Sequence, residues 1–329
     1  MFFRGSTTAA AAAAALVRRF SSTSTTWRRR RSTSKSKKKI PSPKVPEEGA
    51  NAISVDLLKI VKNRGPLSVP NLWDHAKGCD ASILIDSPKK KSEKFAPPNL
   101  TVRGFDIIEE VKNALEARCP DTVSCADIIA LSTRDAVALS GGPNYAVPTG
   151  RRDGLVSNLN DVNLPGPSLP VDQAFQSFSS KGLTLEDMVT LLGAHTVGVA
   201  HCAFFKGRLS SDATMDPGLR ASLVKTCGSK SRPLVKDRTA FLDQNTSFVV
   251  DNEYYKQILL KKGVMKIDQE IALDGSTSAV VAGFASDGVG FLGRFGDALV
   301  KLGSVDVLVG SDGEIRRKCS SFNGPSKRS

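Results

Sequence analysis

One histidine, His195, closes the apolar run Leu191-Leu-Gly-Ala-His195. An imidazole placed there could ligate a metal or sit as a hydrogen-bonded core side chain, and a lone histidine beside an apolar stripe is more often the latter. Upstream, Thr184-Leu-Glu-Asp187 reads as a helix start, a hydroxyl cap followed three residues later by an acid, with Met188, Leu191 and Leu192 as the buried stripe. His195 is therefore expected to project from a helix's last turn. His201, just before Cys202, reads as a packing residue. The six cysteines, Cys79, Cys119, Cys125, Cys202, Cys227 and Cys319, contain no Cys-x2-Cys pair. That spacing argues against zinc and for disulfides, hence for an oxidising compartment. If all six paired, fifteen connectivities would be open.

The elements that must position these residues are mostly helical. Ile107, Ile108, Val111 and Leu115 fall on one face of a helix expected from Arg103, and Ser124 caps a second that buries Ile128, Ile129 and Leu131. Gly141-Gly-Pro143 ends that helix, and residues 147–154 and 158–167 read as an irregular excursion. Further helices are expected over 53–61, 170–178, 217–226, 252–261 and 279–302, the last weakened by Gly283, Gly288, Gly290 and Gly293. The fold class is mainly α, with short strands at most.

The 329 residues carry a net charge of +13, which would suit a nucleic-acid or membrane partner if it were spread over the chain. It is not. Residues 1–46 hold twelve Lys or Arg and no acid, and the rest holds 34 basic against 33 acidic residues. This tail, with its seven-alanine run, Arg28-Arg-Arg-Arg31 and many hydroxyls, resembles a mitochondrial or plastid transit peptide, with a disordered tail or a poor secretory signal as alternatives. A transit peptide conflicts with disulfides. Only Trp27 accompanies the basic run, which speaks against nucleic-acid binding, and no stretch of about 20 apolar residues is present to span a membrane. The chain divides into the tail 1–46, an unmatched segment with linker 47–77, a domain 78–323 and a short tail 324–329.

Seven motifs then place that domain. Gly78-Cys-Asp-Ala-Ser82, Arg103-Gly-Phe105, Val123-Ser-Cys-Ala-Asp127, Gly150-Arg-Arg-Asp153, Gly193-Ala-His-Thr-Val-Gly198, Asp251-Asn-Glu-Tyr-Tyr255 and Gly313-Glu-Ile-Arg316 resemble, in order, those of class III plant secretory haem peroxidases. The resemblance implies a helical fold with haem b between two subdomains, and an extracellular monomer that oxidises small phenolic donors with hydrogen peroxide. The associated roles are hydrogen peroxide removal, response to oxidative stress and lignin or cell-wall phenolic chemistry. It makes His195 the axial ligand of the haem iron and Asp268 the carboxylate behind it, an arrangement that raises a ligating imidazole's basicity. It assigns proximal calcium to Thr196, Asp243, Thr246, the carbonyl of Val249 and Asp251, an oxygen set that suits a hard cation. Without a metal, Asp243 and Asp251 would be ordinary turn and N-cap residues. It pairs Cys125 with Cys319 and Cys202 with Cys227, leaves Cys79 and Cys119 without their partners, and sets Pro165 beside the path of aromatic donors.

The resemblance stops at Gly78. Family members carry a distal helix ending in Arg-x-x-Phe-His-Asp-Cys, whose histidine and arginine cleave peroxide. Here the corresponding offsets fall on Leu72 and Ser68, and Gly65, Pro66 and Pro70 interrupt any helix. The distal helix is thus expected to be missing or replaced, as in a chimeric message. Of the family's distal calcium site only Gly78, Asp80, Ser82 and Glu93 remain, so that site is expected to be lost. Asn99, which supports the distal histidine in the family, has no histidine to support. Three functions follow: a peroxidase with impaired activity, a non-catalytic protein that binds haem and calcium, or an organellar interaction or RNA-binding protein acting through its basic N-terminus.

Overall fold

Several helices of this chain begin at a side chain that answers the unpaired N–H groups of the first turn. The computed structural model describes residues 79–230 and 232–324, so the basic tail, the helix expected over 53–61, Gly78 and the segment 324–329 beyond its first residue lie outside the described residues. Helix α1 (Phe105–Arg118) buries the expected stripe Ile107, Ile108, Val111 and Leu115. The Ser124 hydroxyl accepts the N–H of Asp127 to start α2 (Cys125–Leu139). After α3 (Val171–Ser179), α4 (Leu185–Leu192) starts at a reciprocal cap, where Asp187 N–H donates to Thr184 Oγ1 (3.1 Å) and Thr184 N–H to Asp187 Oδ2 (2.7 Å).

Strand β1 (Val199–His201) follows, then α5 (Arg208–Ser211), α6 (Pro217–Cys227) and β2 (Thr239–Phe241), which pairs antiparallel with β1, Ala200 opposite Ala240. The last four helices are α7 (Glu253–Leu259), α8 (Lys266–Leu273), α9 (Ser278–Ser286) and α10 (Gly288–Leu302). The architecture is mainly α. Among the described residues, no helix is long and apolar enough to cross a membrane.

Two expectations need correction. The segment 279–302 is two helices, because the backbone leaves helical geometry at Asp287 (φ −123°, ψ 86°) and its carboxylate then caps the new helix by accepting the N–H of Gly290 at 2.8 Å. Helix α8 was not expected at all. Only eight residues long, it opens at Met265 without a hydroxyl cap; instead Asp268 Oδ2 accepts the Met265 N–H (3.2 Å).

Helices α3, α4 and α7 to α10 share one apolar core, in which α4 packs against α10 and α9 against α7. Helices α1 and α2 share another with Ala81, Ile83 and Leu84. The disulfide Cys125–Cys319 ties the start of α2 to the far end of the described chain, and Cys202–Cys227 ties β1 to the end of α6. Cys79 and Cys119 are free thiols, and burial pushes the Cys79 thiol up to about 11.

The motif Gly150-Arg-Arg-Asp153 acts as a polar knot between these cores. Fully buried, Asp153 accepts the N–H groups of Cys125 (3.1 Å), Ala126 (2.9 Å) and Arg316 (2.9 Å), so its charge sits at the N-terminus of α2, where the helix dipole favours it. Arg151 bonds both Asp127 and the Gly303 carbonyl that follows α10. Replacing Asp153 with alanine leaves three buried N–H groups without acceptors, at a cost of about 3–5 kcal/mol. Thermal unfolding should show Tm for Asp153→Ala lower by about 6–10 °C, and an unchanged Tm would contradict this account of the knot.

Candidate functional site

Helix α4 ends at Leu192, and the chain tightens into a 3-10 turn, Gly193–Thr196, so His195 stands in this turn just past the helix rather than in its last turn as expected. Only glycine fits at 193, since a Cβ there would run into the Tyr255 hydroxyl and lie 2.7 Å from Phe291 Cε2. The His195 side chain is 13% exposed and Asp268, in the first turn of α8, is 1% exposed; His195 Nδ1 and Asp268 Oδ1 are 2.7 Å apart. This contact needs the ring proton on Nδ1. Nε2 is then the nitrogen that would bind a metal, and the carboxylate strengthens it as a donor.

The same carboxylate has two further donors. Tyr254 Oη–H donates to Oδ1 at 3.0 Å, and the Met265 N–H to Oδ2 at 3.2 Å. Burial, and secondarily the charge of Asp268, hold the Tyr254 phenol well above its ordinary range, so it remains a donor. Tyr254 stands among the motif residues, but its role was not legible there, because nothing in the sequence aligns α7 with α8.

The segment that delivers Asp268 is held from two sides. The Ile267 N–H donates to the Pro167 carbonyl (3.0 Å), which brings the loop bearing half-buried Pro165 against the start of α8. From α5, the buried Arg208 guanidinium donates to the carbonyls of Gly263, Val264 and Met265 at 2.7–2.8 Å and through Nε to Asp212 at 2.6 Å.

Next to His195, Thr196 opens an oxygen cluster. Its Oγ1 lies 3.5 Å from Asp243 Oδ2, 3.2 Å from the Val249 carbonyl and 3.2 Å from Asp251 Oδ1, and Thr246 Oγ1 is 3.1 Å from both carboxylates. All five expected oxygens therefore converge. Ligands about 2.4 Å from a calcium ion and at right angles would stand roughly 3.4 Å apart, and the observed spacings fit that cage. Asp243 Oδ1 meanwhile accepts the N–H groups of Asn245 and Thr246, and Asp251 Oδ1 the N–H of Glu253, so the turn and cap roles coexist with the cluster. Among the described residues no group of three or more His, Cys, Asp or Glu is placed to hold a metal; this cluster has two carboxylates and relies on hydroxyl and carbonyl oxygens.

Of the other expected calcium residues, Asp80 Oδ1 accepts the Ser82 N–H (3.0 Å), and the Ser82 hydroxyl donates to Glu93 Oε2 (2.7 Å). These three are brought together, while Gly78 lies outside the described residues. Asn99 donates to the Glu93 carbonyl (2.9 Å), and its buried Oδ1 has no partner among the described residues. Both expected disulfides are formed. His201 packs on β1. The expected distal helix concerns residues 1–78, outside the described region.

The fold is helical and pairs His195 with Asp268, and comparison with known proteins gives the family. A family model described as Peroxidase matches residues 51–287. From Arabidopsis thaliana, Peroxidase 44 is 55% identical over 249 residues, covering 75% of this chain and 78% of that protein. Peroxidase 57 is 50% identical over 254 residues, and Peroxidase 28 is 50% identical over 260. The chain belongs to the peroxidase family, within the plant secretory peroxidase superfamily, and is by family a peroxidase enzyme.

The Arg208–Asp212 clamp carries a pH dependence. Burial raises the Asp212 carboxyl, but Thr214 and Arg208 outweigh it and bring it down to about 2. Between that value and the ordinary 3.8 the unfolded chain binds the extra proton, so the clamp's stabilisation is complete above about pH 4 and disappears as pH falls toward 2. Acid unfolding of Asp212→Asn should lack this increment, on the order of 1–2 kcal/mol after solvent screening; superimposable acid limbs for the variant and the unaltered chain would contradict it.

Proposed function

We propose that this chain is a haem peroxidase with an assembled proximal half and a deficient distal half, acting on hydrogen peroxide and small phenolic donors. The observation that carries the reading is the partly buried 2.7 Å contact between His195 Nδ1 and Asp268, which would make Nε2 a strong donor to a bound iron. When bound at His195, haem b would supply the redox-active iron on which peroxide is reduced while donors are oxidised. Asp268 holds the proton on Nδ1 and the ring in its orientation, and the turn Gly193–Thr196 carries the ring. Thr196, Asp243, Thr246, Val249 and Asp251 would hold calcium beside it, and Pro165 would border the donor's approach. Asp80, Ser82 and Glu93, together with Gly78, would be a remnant of a second calcium site that no longer binds.

The deficiency is read from the sequence, which has Leu72 and Ser68 at the offsets where the family resemblance calls for the distal histidine and arginine. Proton transfer by a placed base is worth roughly 10²–10⁴-fold, so turnover should be slower by at least that factor. A protein that binds haem and calcium without catalysis is the second reading, favoured by the same two positions. The two disulfides suit an oxidising, extracellular location.

Titration of the full chain with haem tests the ligand. We expect a Soret band saturating at one haem per chain, at least about tenfold weaker binding for His195→Ala, and oxidation of a simple phenol about 10³-fold or more below an intact family member. An unchanged haem spectrum in His195→Ala would overturn the assignment, and turnover equal to an intact peroxidase would overturn the distal deficiency. Calcium at a hundred times its Kd should add about 2.7 kcal/mol to the stability of the unaltered chain and nothing to Asp243→Asn. Equal calcium responses in thermal melts would remove the proximal site.

A further inference from the structure

We propose that Tyr254 is a positioning residue for the His195–Asp268 pair: its hydroxyl shares the carboxylate oxygen that receives the imidazole proton, and thereby moderates that carboxylate's pull on the ring. The inference rests on the reading of His195 as the iron ligand. Tyr254 is 1% exposed on α7, with its ring edge-on to His195 at a centroid distance of 6.1 Å and against Tyr255 at 5.0 Å. Packing of that kind would be satisfied by phenylalanine. A buried hydroxyl needs a partner, and here it donates to Asp268 Oδ1 at 3.0 Å, the atom that His195 Nδ1 approaches to 2.7 Å. The neighbouring Tyr255 is equally buried, but its hydroxyl donates to the main-chain carbonyls of Val189 and Thr190.

Hydrogen bonds to an ionised acceptor are stronger than neutral ones, and two donors on one oxygen divide its charge. With Tyr254 and the Met265 N–H both engaged, Asp268 is held in one rotamer and only part of its charge falls on the imidazole proton. Loss of the phenol alone leaves the rotamer held by Met265 and concentrates the charge on His195. The ring then donates more strongly to iron, which favours the ferric state. Tyr254 also lies three residues after Asp251, whose carboxylate belongs to the oxygen cluster and accepts the N–H of Glu253 at the start of α7. The same short helix therefore joins the cluster to the carboxylate behind the histidine.

The test compares Tyr254→Phe with Tyr255→Phe in the full chain. Each loses one buried hydroxyl from adjacent positions of one helix, but only the first loses a donor to Asp268. For the haem-loaded protein, Tyr254→Phe should shift the ferric/ferrous equilibrium about three- to tenfold toward ferric, up to about 59 mV for this one-electron couple. Its iron–imidazole stretch in resonance Raman spectra should rise, and Tyr255→Phe should change neither quantity. In haem-free protein the His195 Nδ1–H proton resonance should move in Tyr254→Phe and stay in place in Tyr255→Phe. Identical behaviour of the two variants, or a shift toward ferrous, would overturn the proposal. If His195→Ala shows that iron does not bind at this residue, the functional reading fails, while the haem-free resonance still decides whether Tyr254 acts on the pair.

Discussion

Everything specific to the site depends on one partly buried hydrogen bond, that between His195 and Asp268. The partners are 73 residues apart in sequence, and neither is well placed by itself. The imidazole stands at the end of a helix whose direction is fixed by packing against α10, and the carboxylate stands in the first turn of a helix too short to be stable alone. A bond of 2.7 Å leaves little tolerance, since charge-assisted hydrogen bonds weaken quickly when either partner moves. The surrounding polar contacts therefore have a common role, which is to hold the start of α8 still. Arg208 grips three successive carbonyls ahead of it, Pro167 accepts the N–H of Ile267, and Met265 closes onto Asp268 itself.

The same economy governs the other side of the histidine. Thr196 follows His195 directly and contributes the hydroxyl around which Asp243, Thr246, Val249 and Asp251 gather. Gln257 of α7 reaches back to Asp243, so α7 is tied to the oxygen cluster at one end and, through Tyr254, to Asp268. A cation in the cluster would neutralise the two carboxylates and stiffen the turn that carries His195. The disulfide Cys202–Cys227 closes the excursion between β1 and α6 beside this region.

Much of this was legible in the sequence where a local rule applied. Thr184 with Asp187 announces α4 by cap chemistry, the stripe of α1 by its period, and the approximate place of His195 by both. Ligand sets and disulfide pairings came from the family resemblance, because partners such as Asp268 and Cys319 are separated from theirs by long stretches that no local pattern bridges. Local reading failed at α8, whose start is stabilised by its own third residue and by a distant arginine. It failed again at Asp287, where one non-helical residue splits the stretch read as a single helix. Tyr254 was visible as a motif letter, and its chemistry appeared only when α7 and α8 were packed together.

The central claim is that the proximal half of a peroxidase site is complete in this chain and that His195 alone presents the iron ligand. Iron-edge anomalous diffraction from crystals of the haem-loaded full chain tests it most directly. The account predicts a single iron peak within bonding distance of His195 Nε2, with the Asp268 contact retained on the opposite ring nitrogen. An iron peak at His201 or any other side chain, or haem bound with His195 turned away from it, would contradict the account.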